Sequence, residues 1–266
     1  MSTTHQHLAA GLFRPVLDAG RLQLAHRAAG IVAEQKSDKS PVTEADRASE
    51  DLLMAALAVL APGVPVVAEE SVAAGRIPAD LGRAFFLIDP LDGTREFIRG
   101  GDDFTVNVAL VRDGTPTFGV VYAPARGWLC LTTAADRAVE TEVAAEFTGG
   151  FADVSWRTLA ARPAPAEPLA VESRSHKSAA EDDYLDQLGI RHRTSIGSSL
   201  KFCLIARGEA DIYPRFGPIS EWDTGAGHAI LLAAGGRVET RDGTPWVYGN
   251  KAGGFLAKPF IARGRA

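Results

Sequence analysis

Cysteine is scarce in this sequence, with only Cys130 and Cys203 among 266 residues. Two cysteines cannot form a disulfide framework, and no CxxC pair or Cys/His group suggests a zinc site. The N-terminal segment also lacks a basic region followed by an apolar stretch, so we expect no secretion signal. A reducing, cytoplasmic location fits these absences.

Basic residues are also less numerous than acidic ones. The chain has 28 Lys and Arg against 33 Asp and Glu, a formal net charge of −5, and its pI is ≈ 5.7. A broad surface for nucleic acid or anionic lipid needs clustered Lys and Arg, so we expect no nucleic-acid partner. Any phosphate ligand would have to be bound by a local group of residues rather than by a broad basic surface.

Long apolar segments are missing too. The longest uncharged run, Leu52 to Ala68, is interrupted by Pro62, Gly63 and Pro65 before it could span a bilayer as a helix. We therefore expect no integral membrane contact. With 46% hydrophobic and 23% charged residues, the composition fits a globular chain of one large domain or two intimate subdomains.

The first half of the chain combines helical and strand patterns. Apolar residues at helical spacing predict helices from about Leu8 to Lys36 and from Thr43 to Leu60. From Ala84 onward, short β-rich runs between turn signals predict a largely antiparallel sheet. These runs are "AFFLID", "FTVNVALV", "TFGVVYA" and "GWLCLTT".

The second half has a different pattern. The proline-rich stretch "AARPAPAEP", residues 160–168, predicts a semi-rigid connector, and we place a boundary there between subdomains 1–163 and 164–266. Beyond it, strands and helices alternate in α/β fashion. The predicted elements are a strand "LAVES", helices at 179–188 and 198–207, a strand "ADIYP", a helix at 224–234 and a closing strand.

The stretch "FFLIDPLDGTREF" places Asp89 and Asp92 directly after an apolar run. Asp-Gly is a common turn dipeptide, so Asp92 alone has a plain structural explanation. Asp89, however, adjoins a strand that should be buried, where an unpaired charge is costly. It therefore needs a counter-ion or a metal.

Other acidic residues could join this pair. Glu69 and Glu70 end the apolar run "VPVVA", and Asp223 begins the apolar helix of "WDTGAGHA". Each alone could be a solvated strand end or a helix N-cap. If they converge, like charges about 4 Å apart repel by roughly 4 kcal/mol at an effective dielectric of about 20. Divalent cations would offset this repulsion, and all-oxygen ligands favour a hard ion such as Mg²⁺.

Gly93 and Thr94 follow the aspartates and suit a phosphate. Glycine allows close backbone approach, and the amides that open the turn "TREF" can donate to a phosphate oxygen. The Thr94 hydroxyl could orient a water molecule if a carboxylate such as Asp46 lies behind it. The alternative for Asp46 is a capping box with Thr43.

The segments "AEES", "DPLDGT" and "WDTGAGHA" occur in the order typical of the inositol monophosphatase superfamily, whose members are Mg²⁺-dependent, lithium-sensitive phosphatases. The chain resembles this superfamily from about Leu8 to its C-terminus. The resemblance implies an α/β (α+β) fold, the five-layer αβαβα sandwich shared with fructose-1,6-bisphosphatase, with the active site between the subdomains. "SIGSSLKFCLIARGEADIYPRFGPISEWDTGAGHA" is especially similar to the superfamily's bacterial 3′(2′),5′-bisphosphate nucleotidases.

That branch hydrolyses 3′-phosphoadenosine 5′-phosphate, a by-product of sulfur metabolism, to AMP and phosphate. The resemblance implies one Mg²⁺ bound by Glu69, Asp89 and the Leu91 carbonyl, and a second bound by Asp89, Asp92 and Asp223. A third, looser ion would lie near Glu70, which joins Asp46 and Thr94 as a candidate catalytic residue. Water, rather than a serine, would be the nucleophile. Monomer and homodimer both stay open, as does peripheral association with the cytoplasmic side of the inner membrane.

Several residues could recognise the rest of the substrate. Inositol-preferring relatives carry an acidic residue seven positions before Asp223, where this chain has Phe216, and the adjacent Arg215 suits a second phosphate. A helix start at Ser198, Ser199 and Lys201 could bind a 5′-phosphate, or be an N-cap with a solvated lysine. The resemblance also places His176 beside the nucleotide. The candidate substrate-binding residues are Gly93, Thr94, His176, Ser198, Ser199, Lys201, Arg215 and Asp223.

Two other functions stay open. One is a phosphatase for inositol, histidinol or another sugar monophosphate. The other is a binding protein, because some superfamily members contact RNA polymerase. The complete acidic set and the negative net charge favour an enzyme acting on a small nucleotide bisphosphate.

Overall fold

The computed structural model describes residues 4–35, 41–175 and 178–266. Helix α1 (His5–Ala29) ends at Gly30, where φ is +98°, and does not reach Lys36 as predicted. The chain instead forms strand β1 (Ala33–Gln35), which pairs with strand β2 (Pro41–Thr43). Helix α2 (Glu44–Leu60) then starts after Thr43, as the sequence predicted.

A seven-stranded sheet follows. Its strands β3 to β9 are adjacent in chain order, β3 and β4 are parallel, and every later pair is antiparallel, which confirms the predicted sheet. Two short helices interrupt the early strands. In chain order the elements are β3 (Val66–Ala68), α3 (Glu69–Ala73), β4 (Ala84–Asp92), α4 (Thr94–Ile98), β5 (Thr105–Arg112), β6 (Thr115–Ala123), β7 (Trp128–Ala134), β8 (Arg137–Glu142) and β9 (Arg157–Thr158).

The C-terminal part contains a five-stranded mixed sheet in the order β11-β10-β12-β14-β13. Its elements are β10 (Leu169–Ser173), α5 (Ala179–Gln187), β11 (His192–Ile196), α6 (Leu200–Ala206), β12 (Ile212–Arg215), α7 (Trp222–Ala233), β13 (Arg237–Glu239) and β14 (Phe260–Arg263). Strand β11 was not predicted, because this edge strand is largely exposed and lacks alternating apolar residues. The proposed boundary at residue 163 lies in the connection between the sheets and stays a prediction.

The elements stack in five layers. Helices α1 and α2 cover one face of the large sheet, where Leu12 and Leu53 share a core with Val108. Helices α6 and α7 lie between the two sheets, and Ile230 belongs to a core that includes residues from both. Helix α5 covers the outer face of the small sheet through Leu185. The mixed α+β fold and its layered order confirm the predicted fold class.

Close packing positions α7 against the large sheet. A Cβ atom on Gly119 of β6 would lie 2.3 Å from the Ala226 carbonyl oxygen, so only glycine allows this approach. The contact places the start of α7, which carries Asp223, near the ends of β4 and β5. Among the described helices, none combines the length and apolar character that crossing a bilayer demands.

Candidate active site

Three carboxylates from two elements meet at the interface between the layers. Asp89 and Asp92 lie at the end of β4, where the pairing with β5 is irregular, and Asp223 lies in the first turn of α7. One carboxylate oxygen from each of the three lies within 4.8 Å of the others. Asp89 is 1% exposed, so its charge is almost fully removed from water.

The electrostatics of this cluster favour a bound cation. Burial, followed by the charges of Glu69 and Asp92, raises the pKa of Asp89 well above its ordinary value. Burial and the charge of Asp92 likewise raise the pKa of Asp223 to about 7. Carboxylates that repel each other in a buried site become favourable when a metal neutralises them, and an all-oxygen set suits a hard divalent ion. The residues present therefore fit a metal of that kind.

The two glutamates of α3 have different surroundings. Glu69 joins Asp92 and Asp223 in lining a cavity of ≈ 240 Å³. Glu70 lies beside Glu50, where its backbone N–H donates to Glu50 Oε2 at 2.7 Å. Burial raises the pKa of Glu50, and the charge of Glu70 adds to this rise. Sequence reasoning missed Glu50, which positions the start of α3 by also accepting from Ser71 Oγ at 2.6 Å.

Thr94 and Asp46 are in contact behind the cluster. Thr94 Oγ1 lies 3.3 Å from Asp46 Oδ1 and 3.2 Å from the Leu91 carbonyl oxygen, and it can donate its proton to either. Asp46 is buried, and its Oδ2 accepts from both the backbone N–H and the hydroxyl of Thr43. Asp46 thus caps α2 and contacts Thr94 with its other oxygen, so the two interpretations of this residue are compatible.

The turn at Gly93 has little room for a side chain. Its φ is +91°, and a Cβ there would lie 2.8 Å from the Asp103 carbonyl oxygen. The neighbouring Leu91 is also constrained, because its backbone N–H donates to Asp89 Oδ1 at 3.0 Å. These contacts shape the backbone between the aspartates and α4.

Ser198 and Ser199 contact Asp92. Ser198 Oγ donates to Asp92 Oδ2 at 2.7 Å, and the Ser199 backbone N–H donates to the same oxygen at 2.8 Å. The Ser199 hydroxyl donates to the Asp223 carbonyl oxygen at 2.6 Å. Ser198 has φ +58°, which is why α6 starts at Leu200 and not at Ser198 as predicted. The serines therefore contact the Asp92 carboxylate and the backbone of Asp223.

Lys201 and Arg215 line the same cavity and are largely buried. Lys201 Nζ donates to the Ser198 carbonyl oxygen at 2.5 Å, and burial lowers its pKa to about 8. Arg215 Nη2 donates to the Pro218 carbonyl oxygen at 2.8 Å. Glu181, another residue that sequence reasoning missed, accepts from the Phe216 backbone N–H at 2.8 Å. His176 lies outside the described residues.

Asp103 is a third missed residue. It is fully buried, forms ion pairs with Arg126 and Arg174, and accepts from the Gly197 backbone N–H at 2.9 Å. This hydrogen bond positions the loop that carries Ser198. Two of these partners, Arg126 and Gly197, lie 23 and 94 residues from Asp103 along the chain, so no local pattern could have indicated this network.

Comparison with known proteins shows the family. The family model described as "Inositol monophosphatase family" matches residues 6–263. The chain belongs to the inositol monophosphatase family. A curated family member, the 3′(2′),5′-bisphosphate nucleotidase CysQ of Escherichia coli strain K12, is 46% identical over 80% of this chain and 81% of its own length.

Two further relatives extend the comparison. The CysQ protein of Buchnera aphidicola from Acyrthosiphon pisum is 39% identical over 83% of this chain and 77% of its own length. The crystal structure of CysQ from Bacteroides thetaiotaomicron, a bacterial member of the family, superposes with a TM-score of 0.80 at 31% identity and covers 98% of each chain. The family relationship therefore extends over nearly the whole fold.

Proposed function

We propose that this protein is a Mg²⁺-dependent phosphatase that hydrolyses 3′-phosphoadenosine 5′-phosphate to AMP and phosphate. The observation that carries the proposal is the extensive sequence identity with relatives named 3′(2′),5′-bisphosphate nucleotidase. The convergence of Asp89, Asp92 and Asp223 supports the metal dependence. Such an enzyme would act in the cytoplasm on a small-molecule substrate, clearing a by-product of sulfur metabolism.

We assign the metal ligands as follows. One Mg²⁺ would be bound by Glu69, Asp89 and the Leu91 carbonyl, and the other by Asp89, Asp92 and Asp223, with Glu70 near a third, looser ion. When bound, the ions would neutralise phosphate charge, lower the pKa of the attacking water and stabilise the leaving oxygen. Ser198 and Ser199 orient Asp92 through their hydrogen bonds to Oδ2.

Thr94 would orient the attacking water. A hydroxyl has one proton to donate, so a Thr94 hydroxyl that donates to Asp46 Oδ1 keeps its lone pairs free to accept from water. This choice also leaves the Leu91 carbonyl oxygen available as a ligand. Asp46 is held in place for this role, since its two oxygens accept from Thr94 and Thr43.

The remaining cavity would bind the substrate. The Gly93 and Thr94 amides would contact the reacting phosphate, which Asp223 would also approach. The buried positive charges of Lys201 and Arg215 would favour an anionic substrate, and His176 would lie beside the nucleotide. We also propose that residues 1–163 and 164–266 are the two subdomains, with the site between them: Asp89 and Asp92 come from the first and Asp223 from the second.

The test is a comparison of substrates. We expect Mg²⁺-dependent phosphate release from 3′-phosphoadenosine 5′-phosphate with a kcat/KM well above that for inositol 1-phosphate, and no release in the presence of EDTA. A preference for inositol 1-phosphate would reassign the protein to the sugar monophosphatases of the family. Full activity in EDTA would contradict the metal dependence.

A further inference from the structure

Strand β5 carries two polar side chains on the face that α7 covers. Thr105 and Asn107 are completely buried, at 0% exposure, whereas Ala109 and Val111, the next residues on the same face, belong to the apolar core shared with α7. A buried hydroxyl or amide costs free energy unless it forms hydrogen bonds, and an apolar side chain would avoid that cost. The contacts of Thr105 and Asn107 therefore indicate why this part of the face is polar.

An irregularity in the pairing of β4 with β5 brings two aspartates to these residues. Asp89 pairs with Asn107 and Asp92 pairs with Thr105, so a step of three residues on β4 matches a step of two on β5. In a regular strand, residues three positions apart lie on opposite faces. The extra residue instead places Asp89 and Asp92 on one face, beside the polar side chains of β5.

The Asn107 amide contacts Asp92 directly and also through a serine. Its Nδ2 donates to Asp92 Oδ2 at 3.3 Å and to Ser199 Oγ at 3.0 Å. Its Oδ1 accepts from Thr105 Oγ1 at 2.9 Å. The opposite orientation of the amide would point Oδ1 at the carboxylate, where two acceptors repel, so the charge of Asp92 fixes this orientation.

Asp92 Oδ2 accepts from both sides of the interface between the layers. Besides Asn107, its donors are Ser198 Oγ at 2.7 Å and the Ser199 backbone N–H at 2.8 Å. Thr105 Oγ1 is also hydrogen-bonded to Ser198 Oγ. Three donors use up the acceptor capacity of Oδ2, so Oδ1 is the oxygen that can face a cation. Strand β5 and the loop before α6 thus hold the same carboxylate.

We propose that Asn107, supported by Thr105, is a positioning residue that holds Asp92 in the orientation in which Oδ1 binds the divalent ion. This inference rests on the proposed function, because it takes Asp92 as a metal ligand. A ligand that is already oriented loses little rotational freedom when the ion binds, which strengthens binding. Asn107 touches neither the ion nor the substrate, so it sets the affinity for metal and leaves the chemical step unchanged.

The test begins with Asn107→Leu, because leucine has a similar branched shape but cannot donate a hydrogen bond. We expect the Mg²⁺ concentration needed for a given rise in melting temperature to increase roughly 10- to 100-fold, the usual effect of removing a group that orients a metal ligand. The Mg²⁺ concentration for half-maximal phosphate release should increase by the same factor. With saturating Mg²⁺, kcat and KM for 3′-phosphoadenosine 5′-phosphate should return close to the wild-type values.

Thr105→Val is the second variant, and Thr132→Val is its matched control. Both threonines are completely buried in the large sheet, but Thr132 lies on β7, which two strands separate from β4, and it accepts from the Gly119 backbone N–H. We expect Thr105→Val to weaken Mg²⁺ binding, though by less than Asn107→Leu. Thr132→Val should lower the melting temperature in EDTA without changing the dependence on Mg²⁺.

Melting curves in EDTA identify the folded variants. An unchanged dependence on Mg²⁺ in folded Asn107→Leu, or in Thr105→Val if Asn107→Leu does not fold, would overturn the positioning role. An equal loss of Mg²⁺ affinity in Thr132→Val would also overturn it, because the effect would then come from general destabilisation. A wild-type protein that binds no Mg²⁺ and releases phosphate in EDTA would instead overturn the proposed metal dependence.

Discussion

Asp89 and Asp103 are both almost completely buried, at 1% and 0% exposure, but their neighbours differ in sign. Asp103 is surrounded by two arginines and a backbone N–H. The charged neighbours of Asp89 are other carboxylates, and they raise its pKa along with burial. The charge of Asp103 is therefore neutralised by the protein's own arginines, while that of Asp89 is neutralised only when a cation binds.

The contrast separates a structural carboxylate from a functional one. A buried ion pair with additional hydrogen bonds fixes the loop at Gly197, and removing one partner is costly. A cluster of carboxylates destabilises the folded state when no metal is bound, because the like charges repel. Metal binding relieves this repulsion and stabilises the fold. Burial is therefore a poor guide to role, and the sign of the surrounding charge is a better one.

The largest expected effect is on catalysis. Asp89→Asn should lower kcat by about a thousandfold or more, because the amide removes a ligand from both proposed metal sites and several kcal/mol of transition-state stabilisation. Steady-state phosphate release and Mg²⁺ titration by calorimetry would measure it. In EDTA at about pH 8 the same variant should be more stable than wild type, since it relieves repulsion. Wild-type turnover in Asp89→Asn would refute the ligand assignment.

The second effect is a dependence of metal stabilisation on pH. The folded pKa of Asp223, about 7, exceeds its ordinary value of 3.8, so without metal the folded state binds protons more tightly than the unfolded chain. This contribution to stability is present at low pH and lost as pH rises from about 4 to 7. Mg²⁺ should therefore raise the melting temperature more at about pH 8 than at about pH 5.

One buried group outside the cluster, His228, does not obscure that comparison. His228, whose pKa burial lowers to about 3, makes the protein less stable as pH falls below about 6.5, both with and without metal. Its effect cancels in the difference between Mg²⁺ and EDTA curves. Asp223→Asn should flatten the pH dependence of that difference. If Mg²⁺ raised the melting temperature more at about pH 5 than at about pH 8, that result would contradict the electrostatic account.

The third effect concerns Asp103. Asp103→Asn should lower the free energy of unfolding by about 2 kcal/mol, because two arginine partners lose their counter-charge but are exposed enough to regain water. Urea denaturation in EDTA would measure it. The change is opposite in sign to that expected for Asp89→Asn, and kcat should fall far less than in that variant. If Asp103→Asn and Asp89→Asn changed the free energy of unfolding in the same direction, the distinction between the two aspartates would be lost.

The smallest effect is expected at the surface. Arg83 and Asp113 form two hydrogen bonds, at 2.7 and 2.8 Å, but the Arg83 side chain is 87% exposed. Exposed ion pairs contribute little because water and salt screen them. Arg83→Ala should leave the melting temperature and kcat nearly unchanged. If Arg83→Ala destabilised the protein as much as Asp103→Asn, the geometry of an ion pair would matter more than its burial.

Much of the fold and part of the site followed from local patterns. Strand β4 was predictable because its apolar run has a strand's length and ends in turn residues. The contact between Asp46 and Thr43 joins residues three positions apart, so a capping pattern suffices to predict it. Strand β11 lacked such a pattern and was missed, and α1 ended early at Gly30.

The remaining site depended on contacts between distant residues. Ser198 and Asp92 are 106 positions apart, and the sequence predicted a phosphate contact for the serine, where the fold gives it a carboxylate partner. Glu69 and Glu70 are adjacent in sequence, and the start of α3 turns them toward different neighbours.

The sequence by itself determined the family, the layered α+β fold and the set of acidic residues, because these depend on periodicity and on short motifs whose spacing is local. The tertiary structure alone decided which of those charges are balanced by arginine and which face one another. Electrostatic energy depends on distance and burial in three dimensions, and neither quantity follows from separation along the chain.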